Sequence, residues 1–307
     1  MSSGAPSVSV VIKDPGPDEG SGSDVIAVAP GRIALERRGP PRRGGSRLQQ
    51  YMTPKAEISR RASLSVAIVV WAVVLAAWAG LTYGHVMPDI FLPTPGAVVG
   101  AFFRLLGNGT LAEHVLASVQ VVVYGFIIST VIAVPLGILM GTFRIVQAAL
   151  EPLVNFIRYL PVTSFVPLFI LWIGLGIQQR ITVIFFGTFF QQLVMIADIT
   201  RSVPKDLINA SYTLGASRRE VVLHVLAPAS LPGILDALRI TMGWAWTYLV
   251  VAEMVAASSG LGYISLKAMR GFQVDVIFLA IAIIGLLGLI TDTAFRLLRF
   301  KMASWAE

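Results

Sequence analysis

Few side chains in these 307 residues are equipped for chemistry, and those that are sit in apolar company. His85, His114 and His224 are dispersed and form no metal-ligand spacing. Serine, aspartate and histidine are present, but no serine stands in a G-x-S-x-G elbow. No G-x-x-x-x-G-K-[ST] loop occurs that could cradle phosphates. The sequence has no cysteine, so neither disulfides nor thiolate chemistry inform the reading. Catalysis by the chain itself is therefore not expected. What remains is a scatter of polar groups inside oily runs: Arg158, Arg239, Glu253, the adjacent amides Gln191 and Gln192, Thr188 one turn before Gln192, and Trp244, Trp246 and Tyr248. Such groups are costly in hydrocarbon, and they either serve a solute path or bond one another across helices. Arg158, beside Pro161, could meet an anion or reach lipid phosphate. Thr188, Gln191 and Gln192 could hydrogen-bond a passing polar solute or tie helices together. Glu253 could pair internally or form part of a gate. Arg239 is expected to snorkel, and Asp198 and Asp292 to be interfacial.

The surrounding chain must hold these groups in a membrane. It is 55% hydrophobic and 13% charged, with a mean hydropathy of +0.76, against about 25% charged in an average soluble domain. A helix needs about 20 mainly apolar residues to cross the hydrocarbon. Six runs qualify: Leu64 to Tyr83, Ala117 to Met140, Val154 to Ile173, Ile181 to Ile199, Leu235 to Ala256 and Val276 to Phe295. They are too long and too continuously apolar for barrel strands, so the fold class is all-α integral membrane with six transmembrane helices. Pro161 and Pro167 should break or kink the third span, and irregular backbone at that depth lines a cavity or is covered by protein. Between the first two spans, "FLPTPGAVVGAFFRLL" starts extended at Pro93 and Pro95. It then repeats apolar residues at helical spacing (Val98, Phe102, Leu105, Leu106), as either an interfacial helix or a short helix packed on the bundle.

Residues 1–55 are rich in Ser, Gly, Pro and charge without apolar period, and read as a disordered cytoplasmic tail. The six-helix membrane domain covers 56–302 and a short tail follows over 303–307. The first apolar run comes too late for an ordinary signal peptide and is expected to stay as an anchor. Ten of the 24 Lys/Arg precede residue 62. No aromatic interleaving or nucleic-acid motif accompanies them, so the expected partner is membrane lipid, with no nucleic acid. Further basic residues gather at Arg144, at Arg201, Lys205, Arg218 and Arg219, and at Arg296, Arg299 and Lys301. The opposite loops hold only Arg104, Arg180, Lys267 and Arg270. Positive-inside then puts both termini in the cytoplasm, together with the polar loop over 200–228.

That loop, "NASYTLGASRREVVLHVLAP" at its heart, carries helix punctuation. Ser202 is expected to cap a helix with Pro204 in its first turn and Asp206 near its start. Leu207, Ala210, Ser211 and Leu214 share one face. Gly215 can adopt the left-handed conformation that ends a helix. Ser217 and Glu220 form an S-x-x-E capping box that opens a second helix to about Leu226, and Pro228 and Pro232 interrupt before the fifth span. The face of small residues either receives a partner or packs on its own bundle.

The same stretch resembles a known loop. Binding-protein-dependent ABC importer permeases carry E-A-A, three residues, G, nine residues, then I-x-L-P. Here Asn209-Ala210-Ser211 is followed after three residues by Gly215, and nine more lead to Val225-x-Ala227-Pro228. Asn209 replaces the family Glu, which removes a charge and leaves the helix-turn-helix geometry. "RYLPVTSFVPLFILWIGLG", "GWAWTYLVVAEMVAASSGLGYI" and "FLPTPGAVV" resemble the nitrate/sulfonate/taurine-type subfamily with its MetI-like transmembrane domain, over about residues 64 to 302.

The resemblance implies a permease subunit in a bacterial inner membrane. A second copy of itself would pair with it, cytoplasmic ABC ATPase subunits would bind ATP and Mg, and an extracytoplasmic solute-binding protein would deliver substrate. ATPase coupling would fall to Asn209, Ala210, Ser211, Leu214, Gly215, Ala216, Ser217, Arg218 and Arg219. The pathway or gate would draw on Arg158, Pro161, Thr188, Gln191, Gln192, Trp244 and Glu253, and "SSGLGYI" would be a flexible outer loop. The implied substrate is a small anion (sulfonate, taurine, nitrate or bicarbonate), moved by alternating access. The subfamily also includes carriers of riboflavin or pyrimidine precursors. A self-sufficient secondary carrier would need coupling-ion residues or an internal repeat, and neither is clear in the sequence.

Overall fold

The structure, a computed structural model of the chain, describes residues 59–303. The tail expected over 1–55 and residues 304–307 lie outside them. The chain divides into two units, Met1–Ser63 and Leu64–Glu307, and the helical bundle is the second.

Without water to pair with, every backbone N–H and C=O in hydrocarbon must be satisfied inside its own segment, which makes helix the solution for long apolar runs. The described residues form α1 (Arg60–Tyr83), α2 (Pro95–Gly107), α3 (Thr110–Thr142) and α4 (Arg144–Arg158). A 3₁₀ turn (Val162–Phe165) leads to α5 (Val166–Ile173), α6 (Ile177–Arg201) and α7 (Lys205–Thr213). The single turn α8 (Arg218–Glu220) runs through a π-helical stretch (Val221–Leu226) into α9 (Ala227–Ala256), followed by α10 (Leu261–Arg270) and α11 (Val274–Met302). Among the described residues, five helices are long and apolar enough to cross a membrane, or six if one bent pair counts as a span.

That bent pair is the expected third span, which is not a straight helix from Val154 to Ile173. Its two arms, Arg144–Arg158 and Val162–Ile173, meet at 87°. Pro161 sits at the break and accepts the Ser164 N–H at 2.9 Å to start the 3₁₀ turn. Pro167 does not kink anything: it lies in the first turn of α5, where its missing N–H would have had no partner.

Two expectations at the helix ends are corrected. Ser202 does not cap α7; its N–H reaches Asp198 O (3.0 Å) and its hydroxyl Ile199 O (2.7 Å), because the last carbonyls of α6 need donors. The cap position of α7 falls to Pro204, without a side-chain bond. Nor do Pro228 and Pro232 interrupt before the fifth span, since Arg218–Val255 runs as one helical stretch. A proline removes one ladder bond and crowds the carbonyl four residues back. The wider π turn just before Pro228 accommodates this, with the Ala227 N–H reaching Val222 O.

The core lies between α3, α6 and α9. Val121, Val122, Phe126 and Ala133 of α3 pack with Ile184 and Ile196 of α6 and Leu238, Met242, Trp246 and Leu249 of α9. Small residues let α3 and α6 approach closely. A Cβ at Gly125 would stand 2.6 Å from Ile184 Cβ, and one at Gly137 would stand 2.7 Å from Ile196 Cγ2. α11 is joined to α9 by charge as well as by packing. Arg239 binds Asp292 through both Nε and Nη2 (Nη2 to Oδ2 3.2 Å), Arg296 adds a 2.7 Å bond to Asp292, and Arg299 meets Asp236 at 3.2 Å. Arg239 and Asp292 thus hold each other instead of snorkelling, since a fork-shaped guanidinium finds its best partner in a carboxylate on the facing helix. α2 packs on the bundle through Val98 and Ala101, against Ile264 and Ala268 of α10 and Val276 and Leu279 of α11.

Candidate functional site

The 87° break makes a hole. Its chain leaves α4 at Arg158 and turns at Pro161, so backbone and side chains splay around a cavity of about 320 Å³ lined by Arg158, Pro161, Thr163, Gln191 and Tyr248. Arg158 Nη2 donates to the Tyr159 hydroxyl at 3.0 Å, and its guanidinium lies 4.8 Å from that ring's centroid. Its Nε is buried and has no partner. An N–H of a cation without an acceptor is an unmet hydrogen-bond demand, and an anionic oxygen is the acceptor that meets it best. Phe186 and Phe190 also line the cavity, their ring centroids 5.0 Å apart, and Phe165 packs on Phe186 at 4.7 Å. Tyr248 reaches in from α9 because Gly187 offers no side chain; a Cβ there would collide with the tyrosine ring.

Of the other residues expected on a path, Gln191 faces this cavity and its neighbour Gln192 does not. Consecutive helical residues point about 100° apart, and Gln192 is turned fully into the core. There its Oε1 accepts from Ser129 Oγ (2.9 Å) and its Nε2 reaches Thr241 Oγ1 (3.4 Å), tying α6 to α3 and α9. Thr188 is buried and donates to Ile184 O of its own helix at 2.8 Å. Trp244 lies on the outside of α9, partly exposed.

Glu253 belongs to a separate, wholly buried network at the opposite end of α9 from α8. Its carboxyl accepts from Ser118 Oγ of α3 (2.8 Å) and from the Gly262 N–H (2.8 Å), with Arg180 Nη1 of α6 at 4.0 Å. Ser118 Oγ in turn accepts the Leu261 N–H (2.8 Å), His114 Nδ1 accepts the Gly260 N–H (3.1 Å), and Arg180 donates to Ser259 O (3.0 Å). The segment "SSGLGYI" is therefore not a flexible loop. Ser259 to Gly262 is pinned to three helices, and the residues from Leu261 onward are already α10. Arg180, expected in a loop, is 6% exposed inside α6. Sequence reasoning missed Ser118 and weighed His114 only as a metal ligand, although one hint was available: Arg180 and Glu253 are oppositely charged and both fall at the end of their apolar runs away from the polar loop.

The polar loop folds as helix, glycine turn and second helix. Gly215 has φ +84°, the left-handed region that disfavours other residues. Ser217 accepts from the Glu220 N–H (3.4 Å) while Glu220 Oε2 accepts from the Ser217 N–H (2.7 Å), completing the capping box. α7 is anchored from behind: Ile208 packs on Val203, Val221 and Leu226. Its other side is bare. Leu207 and Tyr212 are about half exposed, Leu214 is 88% exposed, and Asn209, Ala210, Arg218 and Arg219 are exposed as well. Ser211 is half-buried and donates to Leu207 O at 2.8 Å. Ala216 turns back onto the anchoring cluster, and Ser217 spends its hydroxyl on the cap.

With this geometry in view, the chain was compared with known proteins. Residues 133–304 match the family model of the binding-protein-dependent transport system inner membrane component. The chain belongs to that family. It is thus an ABC importer permease and a multi-pass inner-membrane protein. A putative ABC transporter permease protein of Methanocaldococcus jannaschii is 35% identical to this permease over 248 residues, 79% of this chain and 90% of the relative. The taurine transport system permease protein TauC of Escherichia coli is 30% identical over 253 residues, 81% of this chain and 91% of TauC. Relatives of this taurine and sulfonate type place the permease in that subfamily. The riboflavin transport system permease protein RibX of Chloroflexus aurantiacus is 33% identical over 243 residues, 79% of this chain and 88% of RibX. The MetNI methionine ABC transporter, solved in an inward-facing conformation, shares the fold, with a TM-score of 0.58 over 63% of this chain and 96% of the matched chain, at 23% identity. The matched family region contains both the Arg158 cavity and the α7–α8 turn.

Proposed function

We propose that this permease moves a small anion of the sulfonate, taurine, nitrate or bicarbonate class inward by alternating access, driven by ATP hydrolysis in separate partner subunits. The observation that carries the anion reading is the buried, unpartnered Nε–H of Arg158 in the kink cavity, backed by the Gln191 amide. The taurine- and sulfonate-type relatives support the same class. Two copies pair, an extracytoplasmic solute-binding protein delivers the solute, and the α7–Gly215–α8 turn is the ATPase dock. In support of the dock, Leu207, Tyr212 and Leu214 stay bare while Ile208 fixes the helix from behind. The excess of basic residues at the α7 end supports an orientation with both termini and this turn in the cytoplasm. The Glu253 network then lies at the outer end, where it holds the Ser259–Gly262 segment as part of the outer gate.

A second reading has its own support. The riboflavin-type relative and the aromatic wall of Phe186, Phe190 and Tyr248 suit a flat vitamin precursor in the same cavity. The two readings separate experimentally. The cognate binding protein is screened by thermal shift against sulfonates, nitrate, bicarbonate, riboflavin and pyrimidines, since a ligand raises its melting temperature by mass action. Uptake is then measured in liposomes holding the assembled transporter. Loss of one charge-assisted hydrogen bond should slow anion uptake in Arg158→Gln about 10- to 140-fold, with ATPase binding unchanged. Undiminished anion uptake in that variant overturns the anion site, and uptake by the chain alone in ATP-free liposomes overturns the importer reading.

A further inference from the structure

A second cavity, larger than the one beside Arg158, lies at the root of α7. About 650 Å³ opens between the ends of α3 and α6, the start of α4, and α7. Its polar wall carries Arg144, Arg201 and Lys205, against the single carboxyl of Glu151. That carboxyl is already engaged by Gln147 Nε2 at 2.6 Å. Arg201 has an exposed Asp198 at 3.6 Å, whereas Arg144 and Lys205 pair with no carboxylate among the described residues. Three cations gathered on one cavity repel one another, and an anion between them relieves that repulsion. The lining also includes the apolar side chains of Ala148, Val203, Ile208 and Leu226.

Size and level narrow the ligand. The volume falls in the range of sites that enclose drug-sized molecules, roughly 300–1,000 Å³, and far exceeds what a bare phosphate ion fills. The cavity sits where the apolar stretches of α3 and α6 stop, at Thr142 and Arg201. A bilayer crossed by those helices has its headgroups at that level. A lining that combines cations with apolar side chains at headgroup depth suits a molecule with a phosphate at one end and hydrocarbon at the other.

We infer that this cavity binds the phosphate group of an anionic phospholipid, held by Arg144, Arg201 and Lys205. The site is independent of which solute the permease carries. Val203, Ile208 and Leu226 line the cavity and also form the cluster that anchors α7. A bound lipid therefore buttresses α7 from behind, and on the reading of α7 as the ATPase dock it stiffens that dock.

The test titrates the full chain in detergent with phosphatidylglycerol, phosphatidylcholine or inorganic phosphate, and follows the melting temperature. Phosphatidylglycerol is expected to stabilise the chain and the other two to leave it unchanged. In Arg144→Gln/Lys205→Gln, at about fivefold in affinity per juxtamembrane cation, phosphatidylglycerol should bind about 30-fold more weakly. Arg218→Gln/Arg219→Gln removes the same charge at the same end, outside the cavity, and should bind like wild type. Both double variants alter exposed residues, and their melting temperatures without lipid verify folding. Equal weakening in the two variants, or equal stabilisation by phosphatidylcholine, overturns the site. Stabilisation by inorganic phosphate alone assigns the cavity to a free phosphate compound and overturns the lipid.

Discussion

Replacing Ser118 by alanine isolates the buried network around Glu253. The Ser118 hydroxyl donates to the Glu253 carboxyl (2.8 Å) and accepts the Leu261 N–H (2.8 Å), so one substitution removes a bond from α3 to α9 and one from α3 to the start of α10. The variant adds no bulk to a fully buried position. Leaving the Leu261 N–H buried without a partner costs about 1–3 kcal/mol, and losing the hydroxyl bond to Glu253 costs about 1 kcal/mol more. The total, about 2–4 kcal/mol, raises the open population of the Ser259–Gly262 segment about 30- to 700-fold. Amide hydrogen exchange reads that population directly. The Gly260, Leu261 and Gly262 amides, bonded to His114, Ser118 and Glu253, should exchange faster by that factor. Amides of the core of α6 around Ile184 should not change, because their bonds run within the helix. If exchange at Gly260 to Gly262 stays at the wild-type rate while the variant folds normally, the network does not hold the segment and the reasoning fails.

Gly215→Val should abolish uptake and substrate-stimulated ATPase in the assembled transporter, since a β-branched side chain resists φ +84°, whereas Gly215→Asn should retain most of both. Wild-type values for the valine variant refute the turn's role. Gly137→Leu should lower the melting temperature by the equivalent of about 1–3 kcal/mol, because its side chain enters the 2.7 Å space beside Ile196. An unchanged melting temperature shows that α3 and α6 do not meet there. Arg239→Ala and Asp292→Ala should each lower thermal stability, and the double variant should fall short of their sum, as expected for a direct pair. Strict additivity argues against the α9–α11 bridge.

Much of the architecture is legible without coordinates because it is local. The span beginning at Leu64 shows no charge until Asp89, and hydrocarbon permits such a run little besides helix. Gly215 and the Ser217/Glu220 box mark the turn because each acts within four residues of itself. Local signals misled where a neighbouring element made a competing claim. Ser202 looked like a cap for α7, but it lies within reach of the unpaired carbonyls of α6. Pro228 and Pro232 looked like breaks, but one π turn upstream kept the helix whole.

The polar residues were recognisable as unusual from the sequence; their uses were not. Gln191 and Gln192 are adjacent and chemically identical, yet the twist of α6 sends one to a cavity and the other into bonds with Ser129 and Thr241. Glu253 is 135 residues from Ser118, and no periodicity within either helix encodes that meeting. The sequence by itself determined that this chain lives in a membrane and that the polar loop turns at Gly215. Only the tertiary structure decided which buried polar groups satisfy one another and which, like Arg158 Nε, are left open, because hydrogen-bond partners across helices are set by packing and not by neighbours along the chain.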